Sequence, residues 1–341
     1  MKFDSYRASN ELLFLAELIG SKIYGKALPT ECLNIKRVDF TKLLDLALKN
    51  DILYCVAHEV LNLFQKELSP HQKILLQKIE YIGNIGLKNL HNTLRLLKSY
   101  MSQDYLVIKT YKVYPYLPSD VDILVDDFNQ AVKDLMYAGM NVAYYFEKFG
   151  EAVFRKSGYT QVHLHKNISW HNSKFMDSQF AWREPKEVVL TGVKIRIPSN
   201  EVELLTHIAH INFELLYITL SDLVYLSKLM HQVDWSIMLH QVRRYGWSNT
   251  FKRTIIIMKH LYNLIFSACS GDAKGGDLSM PLELPRTHII SSFVEKRALN
   301  HVLTTIIKSL FILLSGKTYG KAKVPTEAQL FGTCYFTQNF G

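Results

Sequence analysis

Residues Tyr105 to Val125 read YLVIKTYKVYPYLPSDVDILV, and the fold turns on how that stretch is parsed. Leu106-Val107-Ile108 is a short apolar run that predicts a buried strand ending at Lys109. A loop rich in Tyr and Pro follows, and Asp120-Val121-Asp122-Ile123-Leu124-Val125 opens a second strand. Side chains alternate along a strand, so Asp120 and Asp122 share one face while Val121 and Ile123 turn to the other. Two carboxylates on one edge repel unless something positive lies between them, and a hard divalent cation with oxygen ligands is the usual partner. A bare Asp-x-Asp also fits a solvated strand end beside a turn, so the surrounding sequence has to decide.

Working outward, residues up to about Gln103 carry helical patterns. Leu12, Leu13, Leu15, Ala16, Leu18 and Ile19 make the core of a first helix, and Asp39 or Thr41 caps a second. From Asp51 a third carries Leu53, Val56, Val60 and Leu61. Ser69-Pro70 then starts a long one, because Pro is tolerated in a first turn behind a Ser cap. Leu87, Leu90, Leu94 and Leu97 form its stripe, and it leads into the Tyr105 strand.

Beyond Val125, Asp126-Asp127-Phe128 begins a helix that ends at Ala138-Gly139. Alternating Val142, Tyr144 and Phe146, then Ala152 and Phe154, then Val162 and Leu164 predict three more strands, the first two joined at Lys148-Phe149-Gly150. A strand, loop, strand, helix, strand, strand, strand order gives a mixed sheet with a helix on one face, an α+β core. Thr191-Gly192 marks a further hairpin, and Pro198-Ser199-Asn200 starts a helix with Ser199 or Asn200 as cap. Gly271 to Pro285 reads as a loop, Ser291 to Leu314 as a last helix, and the residues after Gly316 as an extended tail.

Composition narrows the setting. The chain has 341 residues, 48% hydrophobic and 21% charged, the balance of a globular protein with real cores. Lys and Arg exceed Asp and Glu by 40 to 31, and a net charge of +9 suits a polyanionic partner. The excess is spread along the chain rather than gathered into a basic arm. Cys32, Cys55, Cys269 and Cys334 are far apart, which argues against a zinc ribbon or a disulfide framework and fits a reducing cytoplasm. The start, Met1-Lys2-Phe3-Asp4, shows no signal-peptide pattern, and Ile306 to Leu314, broken by Lys308, is too short to span a membrane.

The order of strand, Lys109, loop with Ser119, and Asp-hydrophobic-Asp strand resembles the polymerase-β-type nucleotidyltransferase superfamily. It is most similar to a broad group of poorly characterised nucleotidyltransferases whose pattern is Leu-Lys-Gly, Tyr-Pro, then Asp-hydrophobic-Asp-hydrophobic-Leu-Val. Here these positions read Ile108-Lys109-Thr110, Tyr114-Pro115 and Asp120 to Val125. Downstream, His210, Asp222-Leu223 and Asp234-Trp235 fall where the group has a His-bearing helix, an Asp-Leu helix and an Asp-Trp pair, extending the likeness from about Leu106 to about Trp247.

The resemblance implies a small mixed-sheet core at 105–198 between an N-terminal helical region, 1–104, and a C-terminal helical domain, 199–341. It implies Mg²⁺ or Mn²⁺ held by Asp120 and Asp122, a nucleoside triphosphate met by Lys109, Thr110 and Ser119, and transfer to an acceptor hydroxyl, with nucleic acid such as tRNA or DNA favoured. Three positions depart from the pattern. His163 in Val162-His163-Leu164-His165 stands where the group has its third acid, and an imidazole can take a proton or bind a softer metal but adds no negative charge for Mg²⁺. Thr110 replaces a Gly, and no Arg precedes Asp120 in Tyr116-Leu117-Pro118-Ser119. A catalytically weak or inactive protein of the same fold, binding nucleic acid or a protein partner, is therefore the competing expectation.

Two other features have bland and functional readings. His207 and His210 lie three apart and share a helix face, as metal ligands or as core residues. Tyr217, Tyr225, Trp235, Tyr245 and Trp247 either stack bases or pack helices, and Arg243-Arg244 with Lys252-Arg253 is either a phosphate-binding patch or a solvated surface.

Overall fold

Ser69 shows how local sequence sets the architecture. Its hydroxyl accepts the Gln72 N–H while the Gln72 side chain accepts the Ser69 N–H, a reciprocal cap in front of Pro70. The helix so launched, α4, runs 31 residues from Pro70–Tyr100 and ends one loop before the first sheet strand. A computed structural model describes residues 9–24, 33–112, 116–146, 150–170, 173–215 and 218–266. The loop of 271–285, the helix of 291–314 and the tail after 316 lie outside them, as do Tyr114-Pro115, Lys148-Phe149 and Tyr217.

Three helices precede α4: α1 (Asn10–Tyr24), α2 (Phe40–Lys49), capped by Asp39, and α3 (Leu53–Phe64). After it come β1 (Tyr105–Ile108), β2 (Asp120–Val125), α5 (Phe128–Tyr137), β3 (Asn141–Phe146), β4 (Glu151–Arg155) and β5 (Gln161–His165). These strands form one mixed sheet in the order β1-β2-β5-β4-β3, with only the β2–β5 pair parallel. The α+β core expected between helical flanks is thus present. Two short strands, β6 (Ser169–Trp170) and β7 (Ser173–Lys174), and the single turn α6 (Ser178–Ala181) lead to the hairpin β8 (Lys186–Leu190) and β9 (Val193–Ile197). Then follow α7 (Asn200–His210), a π-helical turn at Ile211–Leu215, α8 (Leu220–Met230), α9 (Trp235–Arg244) and α10 (Ser248–Phe266).

The period of two in the strands sorts their side chains between two cores. Val107, Val121, Ile123, Val125, Phe154, Val162 and Leu164 pack on Leu90, Leu94 and Leu97 of α4 and on Phe128, Ala131 and Leu135 of α5. Leu106, Ile108 and Leu124 point the other way. They join a larger core that runs from Leu15 and Leu18 of α1 through Leu205 and Ile208 of α7 to Tyr225 of α8 and Phe251 of α10. Burial of each such side chain stabilises the fold by about 1.5–3 kcal/mol. The helical cover on that second face reaches as far as Leu124 and Ile108, and the polar end of β2 lies just beyond it. Among the described residues no helix is long and apolar enough to cross a membrane.

Candidate functional site

Residues paired across a sheet share a face, so register places the site. Asp120 pairs with Gln161, Asp122 with His163 and Leu124 with His165. Both carboxylates and both histidines therefore stand on one face of two parallel strands. The closest contact is between His165 Nε2 and Asp122 Oδ1, at 2.7 Å. His163 Nδ1 lies 3.2 Å from Asp120 Oδ2 and 3.9 Å from Asp122 Oδ1. The Ser119 hydroxyl donates to Asp120 Oδ1 at 3.1 Å, and Lys109 Nζ approaches Asp122 Oδ1 at 3.5 Å.

Lys109 and Thr110 close the end of β1 in an unexpected way. The left-handed backbone falls on Lys109, with φ 58°, a conformation that costs a non-glycine residue about 1 kcal/mol or more. Thr110 follows, its hydroxyl donating to the Ile108 carbonyl at 3.0 Å and accepting the Asp122 N–H at 3.0 Å. That hydroxyl ties β1 to β2 beside Asp122. Where the resemblance leads one to expect bare glycine backbone, the chain has a buried side chain in a structural role.

The two acids differ in their affinity for a proton. Burial and the neighbouring Asp122 charge push the Asp120 carboxyl up, against His163, Lys109 and Ser119. Burial acts on Asp122 too, but the Lys109 charge and the His165 hydrogen bond outweigh it and hold that carboxyl well below the usual range. At neutral pH Asp122 is the firm anion of the pair. The first proton goes to Asp120.

A polar chain continues from His163. Gln161 sits against His163 Nε2, and Arg155 Nε–H donates to Gln161 Oε1. Arg155 and Gln161 also line an open cleft of about 370 Å³ with Asn141, Lys156, Ser157 and Tyr159. On the other side, a narrow gap bounded by Lys109, His165, Asn167 and Ser169 is closed by Thr206 of α7.

The loop between β1 and β2 is anchored to the helices by a buried ion pair. Lys112 Nζ donates to Ser221 Oγ at 2.7 Å and to Asp222 Oδ1 at 3.2 Å, and it lies 4.2 Å from the centre of the Tyr116 ring. Asp222 also caps its own helix: Oδ2 accepts the Thr219 hydroxyl at 2.7 Å and the Thr219 N–H at 3.3 Å. The Asp-Leu pair at 222–223 is thus a helix cap with a lysine partner.

Lys112, Gln161 and Arg155 escape the sequence reading, which puts His165 on one sheet face with His163 but gives it no role. For His165 the signal was its spacing of two from His163, which puts both on one face, but register alone decides which is nearer an acid. Asp122, His163 and His165 are, among the described residues, the group whose ligand atoms converge, all within 4.8 Å of one another. Such a group is able to hold a metal ion. His207 and His210 belong to no such group among the described residues. His207 is 3% exposed in the core, with its Nε2 3.4 Å from Glu203 Oε2. Tyr225 and Trp247 are buried, the latter donating its indole N–H to the Phe175 carbonyl at 2.9 Å and crossing Phe251 edge-on, so they pack helices. In the basic patch, Arg244 pairs with Asp177 at 3.6 Å.

A family model described as an uncharacterised nucleotidyltransferase matches residues 117–263, from the loop before Ser119 into α10. This stretch, which holds both aspartates and both histidines, is similar to that family. No curated protein and no solved structure matches the chain.

Proposed function

We propose that the protein transfers a nucleoside monophosphate from a nucleoside triphosphate to an acceptor hydroxyl, with nucleic acid such as tRNA or DNA the favoured acceptor. The observation that supports this reading best is the placement of Asp120 and Asp122 on one sheet face, beside Lys109 and Ser119 and opposite two histidines. In this reading Lys109 and Ser119 meet the triphosphate. Lys109 already carries its charge to the mouth of the site, 3.5 Å from Asp122, and a phosphate oxygen is a natural competitor for it.

Asp120 and Asp122 would hold a divalent cation, which would supply positive charge for the phosphates. The acceptor oxygen attacks the α-phosphorus, the bond to the β-phosphate oxygen breaks, and pyrophosphate leaves with that electron pair. The hydroxyl's proton passes to the Asp120–His163 pair, whose atoms lie 3.2 Å apart. Thr110 holds the β1 and β2 ends together and contributes through that position.

The test is incubation of the purified protein with labelled nucleoside triphosphates and total RNA, DNA oligonucleotides or protein, with and without divalent cation. A labelled product that disappears in Asp120→Asn/Asp122→Asn supports the reading. Transfer unchanged in that variant removes these side chains from the mechanism. Cation-independent polyanion binding with no product favours the inactive binding protein, a reading that the histidine at 163 in place of an acid keeps in play.

A further inference from the structure

We propose that the site selects a borderline transition cation, of the Co²⁺ and Zn²⁺ kind, over Mg²⁺, with Asp122, His163 and His165 as its ligands. The inference deepens the reading above and rests on its premise that a divalent cation works here. Its ground is the donor set. Mg²⁺ is a hard ion that prefers oxygen and keeps much of its water, whereas imidazole nitrogen suits Zn²⁺, Co²⁺ and their neighbours. Around Asp122 the side chains on offer are two imidazoles and one further carboxylate, Asp120.

The ligand atoms lie within 4.8 Å of one another, so a small tetrahedral or five-coordinate ion would draw them together. Ligand atoms bound at about 2.0–2.1 Å stand roughly 3.3 Å from one another. The His165–Asp122 and His163–Asp122 separations, 2.7 and 3.9 Å, straddle that value. His165 is fixed on Asp122, whereas His163 Nε2 accepts from the Gln161 amide, which has to turn over before His163 Nδ1 can bind a cation. Gln161 is itself held by Arg155. The only cation now beside Asp122 Oδ1, among the described side chains, is Lys109 at 3.5 Å, which the phosphates would draw away.

The experiment uses the full chain, stripped with a chelator and titrated without nucleotide against Mg²⁺, Mn²⁺, Co²⁺ and Zn²⁺ by calorimetry, with the visible spectrum of Co²⁺ reporting nitrogen ligation. One equivalent of Co²⁺ should bind at least about 100-fold more tightly than Mg²⁺, with Mn²⁺ between them and intensified visible bands. His163→Asp should narrow the Co²⁺ to Mg²⁺ ratio by about tenfold or more. Comparable affinity for Mg²⁺ and Co²⁺ in the unaltered protein overturns the inference whether or not the variant folds, and so does an unchanged ratio in a folded His163→Asp. A Co²⁺ preference with no nucleotide transfer under any cation would defeat the proposed function and leave this inference standing.

Discussion

Replacing Lys112 with Met should destabilise the protein by about 3 kcal/mol, and the reasoning can be checked at each step. The Lys112 and Asp222 side chains are 4% and 7% exposed, and 3.2 Å separates their charges. At an effective dielectric near 20 that attraction is about 5 kcal/mol, most of it spent against desolvation. Removing one partner is different from never having the pair, because Asp222 stays buried with its charge; such losses run about 3–5 kcal/mol. The Thr219 hydroxyl and N–H keep donating to Asp222, which puts the figure at the low end. In a melt of a chain of 341 residues this is roughly 4 °C.

The pH dependence gives a second reading of the same change. Burial raises the Asp222 carboxyl and Lys112, ahead of His207, Thr219 and His210, brings it below the usual range. A depressed acid contributes stability above its unfolded pKa and loses it as pH falls through the folded one. In Lys112→Met burial wins, Asp222 accepts a proton more readily, and the deficit against the unaltered protein should shrink as pH is lowered toward the carboxylate range. Lys112→Met/Asp222→Asn keeps the cap without the charge and should recover much of the loss. Denaturant unfolding followed by circular dichroism measures all three proteins. A loss below about 1 kcal/mol, or a double variant no more stable than the single, would refute the account.

Other expectations follow from the site and from α4. Asp120→Asn should be at least as stable as the unaltered protein at neutral pH: a carboxyl whose folded pKa is raised favours folding below its unfolded pKa and gives that up as pH rises through the folded one. Plotted against pH, the gain of the Asn variant should fade as acid protonates Asp120, and a neutral-pH loss would show that Asp120 is held by stronger partners than Ser119 and His163. Gly83→Ala should cost about 1–3 kcal/mol despite alanine's better helix propensity, since the added carbon would sit 1.9 Å from Tyr54 Cδ2 and push that ring off α4. An unchanged denaturation midpoint would mean the ring moves freely.

How far the sequence carried the fold depended on the range of each signal. Asp120 and Asp122 share a face because alternation is a local rule. The caps Asp39, Ser69 and Asp127 announced their helices because capping spans only three or four residues. What the sequence did not disclose is what two distant segments decide together. His165 lies nearer Asp122 than His163 does because β5 is twisted against β2 in a particular register. Lys112 meets Asp222 across 110 residues, and nothing near either names the other. Thr110 looked like a lost glycine, and only the backbone shows the unusual torsion moved one residue back, onto Lys109.

Among the described residues, the sheet face that carries Asp122 has one blocked side and one open side. Ile108, toward β1, and Leu124, further along β2, are roofed by helices, whereas the cross-strand row in the opposite direction runs His163, Val153, Tyr144 out to a solvent-facing margin. At strand spacing that runway is about 14 Å long. Among the described residues, the open way to the carboxylates runs over β4 and β3, past Arg155.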